Sequence, residues 1–299
     1  MSKPAQASMY VTFWGTRGSI STPGGRTEKY GGNTPCVSVR YKNTLIILDA
    51  GTGIRNLGLE LAQQAQRTNT PLHIHLLLSH THWDHIQGLP FFAPAYLQNS
   101  KISIYGSPNK EIFLESILQR QMDVNYFPVD MAALAAELTI IEISGNKIDI
   151  GPITVDWQEQ VYHPGGSVRY RLSVGDRSII YATDIELDQI FHPDKSNAKI
   201  RKIQKEYCSF IRGADLLIAD GQYTAREYPA MKGWGHTSIS TITDIAAEQR
   251  VKQLAVFHHD PQHSDTMLDK LWADYAQKHN TKEAETKVFW AREGLTLAI

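Results

Sequence analysis

The sequence predicts an α/β protein in which two β-sheets are packed between layers of helices. Short runs of β-branched and aromatic residues, bounded by glycine, proline or asparagine, recur in both halves of the 299-residue chain. Segments with helical periodicity also occur in both halves. Because no internal repeat, low-complexity tract or Ser/Pro-rich linker separates the halves, we expect one domain spanning residues 1–299.

Strands and helices alternate in the first half. The predicted strands are 10–14, 36–41, 45–48, 73–78 and 102–105. A helix is predicted over residues 54–66, with Leu57, Leu61 and Ala65 on one face. Asn109 is the predicted N-cap of a second helix that ends near residue 122. The glycine-rich stretch 15–33 is too broken to be helical.

In the second half, apolar and polar residues alternate with a period of two, and glycine-containing turns separate neighbouring runs. This pattern predicts antiparallel strands at 153–162, 168–174 and 178–182. Further strands are predicted at 216–219, 254–257 and 287–290. Helices are predicted at 197–212, at 240–249 and from about residue 265 onward.

Composition is that of an ordinary globular protein, with 42% hydrophobic and 20% charged residues. The net charge of −1 argues against bulk nucleic-acid binding, which needs many basic side chains. The chain has no apolar run of membrane-spanning length, and residues 1–6 lack a signal-peptide core. Cys36 and Cys208 are the two cysteines, so a disulfide framework is excluded and a cytoplasmic location is expected.

The most informative segment is His80-Thr81-His82-Trp83-Asp84-His85, directly behind the apolar run 76–78. Histidines two apart at a strand end can bind one cation from the same side. The Asp-His pair that follows can reach a second cation nearby. Clustered imidazoles and a carboxylate are costly unless something binds them, so this segment predicts a metal site rather than a polar loop.

Three later segments place donors where predicted strands end. His163 follows the predicted strand 153–162, and Asp184 lies just beyond the predicted strand 178–182. His258-His259 follow the predicted strand 254–257. Taken singly, a strand-end Asp or His is more often a turn or cap residue. Behind a segment with four possible ligands, the metal interpretation is favoured. Histidine and carboxylate donors suit Zn²⁺, although Mn²⁺ or Fe can occupy such sites.

These segments resemble the motifs of the metallo-β-lactamase superfamily, as does the strand-turn at residues 48–53. The resemblance implies an αββα sandwich of two mixed β-sheets flanked by helices. It also implies two divalent metal ions, with Asp184 bridging them. The final ligand in that arrangement is either His258 or His259. His258 directly follows the strand and is favoured, in which case His259 and Asp260 orient other groups. The implied ligands are His80, His82 and His163 for one metal and Asp84, His85 and His258 for the other.

Segments 214–224 and 234–238 look like the strand-acid segment and the histidine loop of the ribonuclease Z branch. By that resemblance His236 is a general acid and Asp220 is its orienting carboxylate. The chain departs from the pattern by having Asp where ribonuclease Z has Glu, and Thr-Ser where Ser-Thr is usual. The interval 184 − 163 = 21 positions leaves no room for the substrate-clamping arm of ribonuclease Z.

Segments 13–20, 30–35, 233–236 and 257–261 look like the cyclic-nucleotide phosphodiesterase group, which includes anti-Pycsar enzymes of bacteria and phages. Arg17, Asn33 and Trp234 are the candidate substrate contacts by this resemblance. For Arg17 and Asn33, loop architecture is the alternative. Trp83, Tyr223 and Trp234 could stack on a base, but for such aromatic residues core packing is the commoner role.

The expected function is that of a dinuclear-metal phosphodiesterase acting on small phosphodiesters, above all on cyclic nucleotides. A metal-bridging hydroxide, Asp84 and the His236–Asp220 pair are the expected catalytic groups. The alternatives are an RNA-end nuclease, a broader phosphodiesterase, or a metalloprotein that binds a nucleotide without cleaving it. Relatives are often homodimers, so a homodimer without a membrane or bulk nucleic-acid partner is expected.

Overall fold

Two seven-stranded sheets form the centre of the fold in the computed structural model, which describes residues 8–107, 112–279 and 284–299. The first sheet contains β1 (Tyr10–Gly15), β2 (Cys36–Tyr41), β3 (Thr44–Leu48), β4 (Leu72–Leu77), β5 (Ser100–Gly106) and β6 (Glu137–Glu142). The second contains β7 (Lys147–Ile150), β8 (Ile153–Gln160), β9 (Ser167–Val174), β10 (Arg177–Ala182), β11 (Leu216–Asp220), β12 (Gln253–Phe257) and β13 (Lys287–Trp290). A last strand, β14 (Thr296–Ala298), returns to pair with β1.

Both sheets are mixed in the same way. The first has the order β14-β1-β2-β3-β4-β5-β6, antiparallel up to β3 and parallel from β3 to β6. The second has the order β13-β12-β11-β10-β9-β8-β7, parallel from β13 to β10 and antiparallel beyond. Parallel neighbours need long crossover connections, and helices provide several of them.

Helices cover the outer faces of the sheets. They are α1 (Ile54–Thr68), α2 (Trp83–Ile86), α3 (Leu114–Gln121), α4 (Leu187–Phe191), α5 (Ala198–Ile211), α6 (Tyr228–Met231), α7 (Ile239–Glu248) and α8 (Asp265–Lys278). Helix α1 buries Leu57, Leu61 and Ala65 on one face, as its periodicity predicts. None of the helices in the described ranges combines the length and the apolar character needed to cross a membrane.

Three apolar clusters hold these layers together. The central one lies between the sheets, where alternate residues such as Val11 and Phe13 of β1 meet Tyr170 and Leu172 of β9. A second cluster packs the second sheet against α5 and α7, and a third packs the first sheet against α1 and α3. Complete burial of one such side chain contributes about 1.5–3 kcal/mol. The predicted αββα sandwich is therefore confirmed.

Most predicted elements match the structure within a few residues, and β2 spans the predicted 36–41. Strands β6, β7 and β14 were not predicted. Two of these, β7 and β14, are only 4 and 3 residues long, too short for a clear alternating pattern. Helix α3 begins at Leu114, later than predicted, and the proposed cap Asn109 lies outside the described residues. Residues 1–6, for which no signal-peptide core is predicted, also lie outside the described residues.

Candidate metal centre

The carboxyl ends of parallel strands gather the site residues at one edge of the sandwich. In the first sheet, Asp49 follows β3 and the His80–His85 segment follows β4. In the second sheet, Asp184 follows β10, Asp220 ends β11 and His258 follows β12. Crevices at such strand ends are where α/β sheets commonly hold ligands.

Three of these strand-end residues adopt left-handed backbone conformations. The φ angles of Asp49, Asp184 and His258 are 61°, 58° and 61°. A non-glycine residue pays a conformational cost there, so the surrounding contacts must hold it in place. Each of the three side chains lies at the site, where its contacts maintain the turn. The sharp turn aims the side chain across the strand ends.

His80, His82 and His163 form the first cluster of donors, with ligand atoms within 4.8 Å of one another. The Nε2 atom of His163 lies 3.0 Å from Nδ1 of His82. Nε2 of His80 and Nε2 of His163 each lie 3.8 Å from Oδ1 of Asp184. The structure thus brings together the three histidines predicted for one metal ion.

Asp84, His85 and His258 form the second cluster. Oδ2 of Asp84 lies 3.2 Å from Nε2 of His85 and 3.2 Å from Nε2 of His258. Asp184 also contacts this cluster, with Oδ2 3.2 Å from His85 and Oδ1 3.5 Å from His258. Because Asp184 touches both clusters, its position suits the predicted bridging role.

The last predicted ligand is placed at the site as His258, not His259. The ring of His258 stacks on that of His85 at 5.4 Å between centroids. His259 instead points away, and its Nε2 donates to the carbonyl oxygen of Ala291 at 2.8 Å. Gly18 lies against the His258 ring, where an added Cβ would come within 2.4 Å of Nδ1, so only glycine fits.

Orienting hydrogen bonds fix which nitrogen each histidine presents. Nδ1 of His85 donates to Oδ2 of Asp49 at 2.7 Å, and Asp49 also accepts from Ser79 and from the Tyr181 hydroxyl. Nδ1 of His163 donates to the carbonyl oxygen of Gly235 at 3.0 Å. Such partners set the tautomer and direction of a metal-binding histidine. Sequence reasoning did not assign Asp49 this role, although its strand-end position was the available signal.

The donor set fits divalent metal ions. Among the described residues, buried Nε2 of His80 has no hydrogen-bond partner, and Nε2 of His85 lies 3.2 Å from carboxylate oxygens of Asp84 and Asp184 without the geometry of a hydrogen bond. Burial lowers the pKa of His80, His82 and His163, which keeps these imidazoles in the neutral form that binds metals. Buried atoms that lack a partner are costly, and a bound cation would satisfy them.

Excess negative charge at the second cluster also favours a cation. Burial would lower the pKa of His85, but Asp184, Asp84 and Asp49 outweigh it and raise that pKa well above its ordinary value. Burial likewise opposes ionisation of Asp84, yet His85 and His258 hold its pKa below the usual range. The buried carboxylates thus carry more negative charge than the nearby histidines can neutralise. Bound divalent ions would neutralise the excess.

His236 and Asp220 lie beside the metal-binding residues. Nδ1 of His236 is 2.7 Å from Oδ2 of Asp220, and the imidazole ring stacks on His258 at 4.9 Å between centroids. Burial lowers the pKa of His236, but the charge and hydrogen bond of Asp220 raise it to about 9. With Nδ1 committed to Asp220, Nε2 is the nitrogen that can donate a proton.

The loop that carries His236 is held by Glu186, a buried residue without a predicted role. The carboxylate accepts hydrogen bonds from the backbone amides of Gly233 at 2.8 Å and Gly235 at 3.2 Å, and from the Tyr228 hydroxyl at 2.6 Å. Gly235 has φ 89°, and an added Cβ would come within 2.3 Å of Nδ1 of His163. The loop therefore requires glycine here, and no short motif signals the contact.

The predicted substrate contacts Arg17 and Asn33 serve loop architecture instead. Arg17 is fully buried, and its guanidinium donates to the carbonyl oxygens of Gly31, Asp260 and His263. The side-chain nitrogen of Asn33, Nδ2, donates to Oε2 of Glu293 at 2.9 Å. Because these polar groups already have protein partners, we correct both assignments in favour of the architectural alternative.

The three aromatic candidates separate by exposure. Trp83 and Trp234 are 81% and 63% exposed, whereas Tyr223 is buried edge-on against His236. Core packing, the commoner role for such aromatic residues, therefore applies to Tyr223 alone. Trp234 remains a candidate substrate contact.

Gln222 orients His258, and its removal should weaken one metal site. Oε1 of Gln222 accepts from Nδ1 of His258 at 2.9 Å. We expect Gln222→Ala to lower metal affinity at that site by about 10- to 100-fold, because loss of an orienting partner frees the ring. Gln222→Glu keeps an acceptor and should recover most of the affinity. Calorimetric titration of the metal-free protein with Zn²⁺ measures both.

The matched control is Gln204→Ala, which removes a glutamine that bonds the carbonyl oxygen of Ile190 on α4. This variant should titrate like the unmodified protein. Equal affinities for Gln222→Ala and the control would show that His258 needs no orienting partner, or that it does not bind metal.

Comparison with known proteins shows the family. The model of the β-lactamase superfamily domain matches residues 44–259. The chain is 23% identical over 286 residues to the ribonuclease Z of Bradyrhizobium diazoefficiens, covering 85% of this chain and 91% of that protein.

Solved structures show the same fold. Yeast PDE1 superposes with a TM-score of 0.65 at 16% identity, over 98% of this chain and all of that one. The metallo-β-lactamase fold protein YhfI of Bacillus subtilis superposes with a TM-score of 0.63 at 18% identity, over 98% of this chain and 100% of that one. Because the family model matches more than half of the chain, at residues 44–259, the chain belongs to the metallo-β-lactamase superfamily.

Proposed function

We propose that this metal-dependent hydrolase opens small cyclic nucleotides to nucleoside monophosphates. The observation that carries the proposal is the buried His236–Asp220 pair beside the two donor clusters. A phosphodiester needs both neutralisation of its negative oxygens and a proton for the departing alkoxide. Residues suited to both tasks lie within one crevice, which supports the proposal.

Two bound divalent ions would supply positive charge to the phosphate and lower the pKa of a coordinated water. The remaining tasks belong to protein residues. In the hydrolysis, a water oxygen gives up one proton to solvent and bonds to phosphorus, while the bond from phosphorus to one ribose oxygen breaks. That ribose oxygen takes up a proton, which Nε2–H of His236 donates. Asp220 keeps the ring turned so that this nitrogen faces the site.

The finer parts of the proposal rest on sequence composition, on the types of donor and on resemblance. Zinc as the native metal, a homodimer, a cytoplasmic location and one domain over residues 1–299 belong to it. The preference for a small substrate draws on the short interval between His163 and Asp184, which β9 and β10 fill as a plain hairpin. Without a protruding arm, the chain lacks the element that clamps a large RNA in ribonuclease Z.

One observation favours RNA as a second candidate substrate. Segment 195–212 carries six basic residues and one acidic residue, a net charge of +5 in a chain of −1. Lys199, Arg201 and Lys205 on α5 are exposed and have no acidic partner among the described residues. Such a surface can contact backbone phosphates. Relatives named ribonuclease Z support the same alternative.

A substrate panel tests these alternatives. We expect the metal-loaded protein to convert 3′,5′- or 2′,3′-cyclic nucleotides to monophosphates, with products followed by chromatography. RNA with an extended 3′ end should be a poor substrate, and its cleavage should not fall steeply between about 50 and 200 mM salt. Faster RNA cleavage with a steep salt dependence would establish the second candidate. Recovery of bound but intact nucleotide would contradict both.

A further inference from the structure

We propose that Trp83 and Trp234 form a subsite that stacks on the planar ring of the substrate, a nucleobase under the proposed function. Their side chains are 81% and 63% exposed. Large aromatic side chains are usually mostly buried, so two exposed tryptophans beside one site require an explanation. Among the described residues, neither tryptophan belongs to any of the three apolar clusters.

Both tryptophans are fixed to the metal-binding framework. Trp83 begins α2, between His82 and Asp84 in sequence. Trp234 precedes Gly235, whose carbonyl oxygen accepts from His163. Nδ1 of His82 lies 3.0 Å from Nε2 of His163. The two loops that carry the tryptophans therefore meet at the first donor cluster. In the proposed subsite, a substrate whose phosphate is bound at the donor clusters would extend toward one or both rings.

The backbone presents Trp234 to solvent. Gly233 and Gly235 on either side have φ angles of 92° and 89°, which side-chain-bearing residues rarely adopt. Both of their amides bond to Glu186, so the loop has a defined shape although its aromatic residue is exposed. Helix α2 has only 4 residues, and Asp84 and His85 face inward, which leaves Trp83 on the outward side.

Planar ring chemistry is the match for such a pair. Indole offers a wide π-face for stacking and one N–H donor, and stacking on a base tolerates any base because each has a π-face. Tyr223 shows the contrast, since its ring is buried against His236 and offers no free face. The subsite therefore selects for a ring attached to the phosphodiester, without choosing among bases.

The first experiment compares two phosphodiesters, a nucleoside 3′,5′-cyclic phosphate and the base-free ribose cyclic phosphate. We expect Trp83→Ala and Trp234→Ala each to lower the preference for the nucleotide, as a ratio of kcat/KM values, by about 10-fold. The loss should lie mainly in KM, and Trp83→Phe should restore most of it. Tyr10→Ala, which removes an aromatic side chain of 52% exposure at the end of β1 opposite the donors, should leave the ratio unchanged.

The second experiment does not depend on turnover. Adenosine monophosphate should quench the tryptophan fluorescence of the metal-loaded protein, and ribose phosphate should not. If no cyclic nucleotide is cleaved but this quenching persists and weakens in both alanine variants, the proposed function fails and the subsite stands. An unchanged preference ratio, or a variant effect that appears only with altered sedimentation of the protein, would overturn the subsite.

Discussion

Replacing Asp84 with alanine is expected to reduce bound metal from about two ions to about one per chain and to lower turnover by at least about 10³-fold. Oδ2 of Asp84 lies 3.2 Å from Nε2 of both His85 and His258, and it accepts from the backbone amide of Ser19 at 2.9 Å. Its loss removes the sole carboxylate of the second cluster other than the shared Asp184. Charge stabilisation by one metal ion contributes several kcal/mol to a transition state, which corresponds to that factor.

Metal content by inductively coupled plasma spectrometry and initial rates on a cyclic nucleotide test this expectation together. Asp149→Ala is the control, because Asp149 is an exposed carboxylate on the edge strand β7. It should retain full metal and activity. Circular dichroism separates loss of metal from loss of fold. A folded Asp84→Ala variant with full metal content, or with undiminished rates, would contradict the two-metal site.

Much of this site could be predicted because its donors occupy strand ends. A short apolar run followed by His, Asp or an HxHxDH segment reveals both a strand and the residue at its carboxyl end. Parallel strands bring those ends to one edge, so His80, Asp184 and His258 converge in the fold. The structure places His258 rather than His259 among the donors, because the residue that follows β12 turns with φ 61° toward the site.

Other residues could not be assigned, because their role depends on partners distant in sequence. Arg17 is a candidate substrate contact by resemblance, yet its partners are carbonyl oxygens as far along the chain as His263. Glu186 carries no recognisable motif, and its importance follows from amides 47 and 49 positions later. Buried polar networks of this kind are visible only when tertiary contacts are known.

The same dependence on tertiary contacts explains why the exposure of the tryptophans could not be predicted from the sequence. Sequence patterning treats an aromatic residue beside a short helix as a core residue, since burial of its large apolar surface is favourable. Four-residue helix α2 has too few positions to define an apolar face, so periodicity carries no information there. The exposure of Trp83 thus follows from the inward direction of Asp84 and His85.

His236→Ala should slow cleavage of cyclic nucleotides by about 10²- to 10⁴-fold, the usual contribution of a general acid. A leaving ribose oxygen is strongly basic, so it needs the proton. A p-nitrophenyl phosphodiester releases a weakly basic phenolate that needs none, and its cleavage should suffer far less. Asp220→Asn, which removes the carboxylate that accepts from Nδ1 at 2.7 Å, should show the same dependence on leaving group to a smaller degree.

The comparison of leaving groups also decides between two roles for His236. Its ring lies among donors that could bind metal, within 4.8 Å of Asp184, Asp220 and His258. A ligand role predicts loss of metal and similar slowing of both substrates, because the metal acts on the phosphate whichever group departs. An acid role predicts full metal content and selective slowing of the nucleotide. Since Nδ1 already donates to Asp220, we expect the second result.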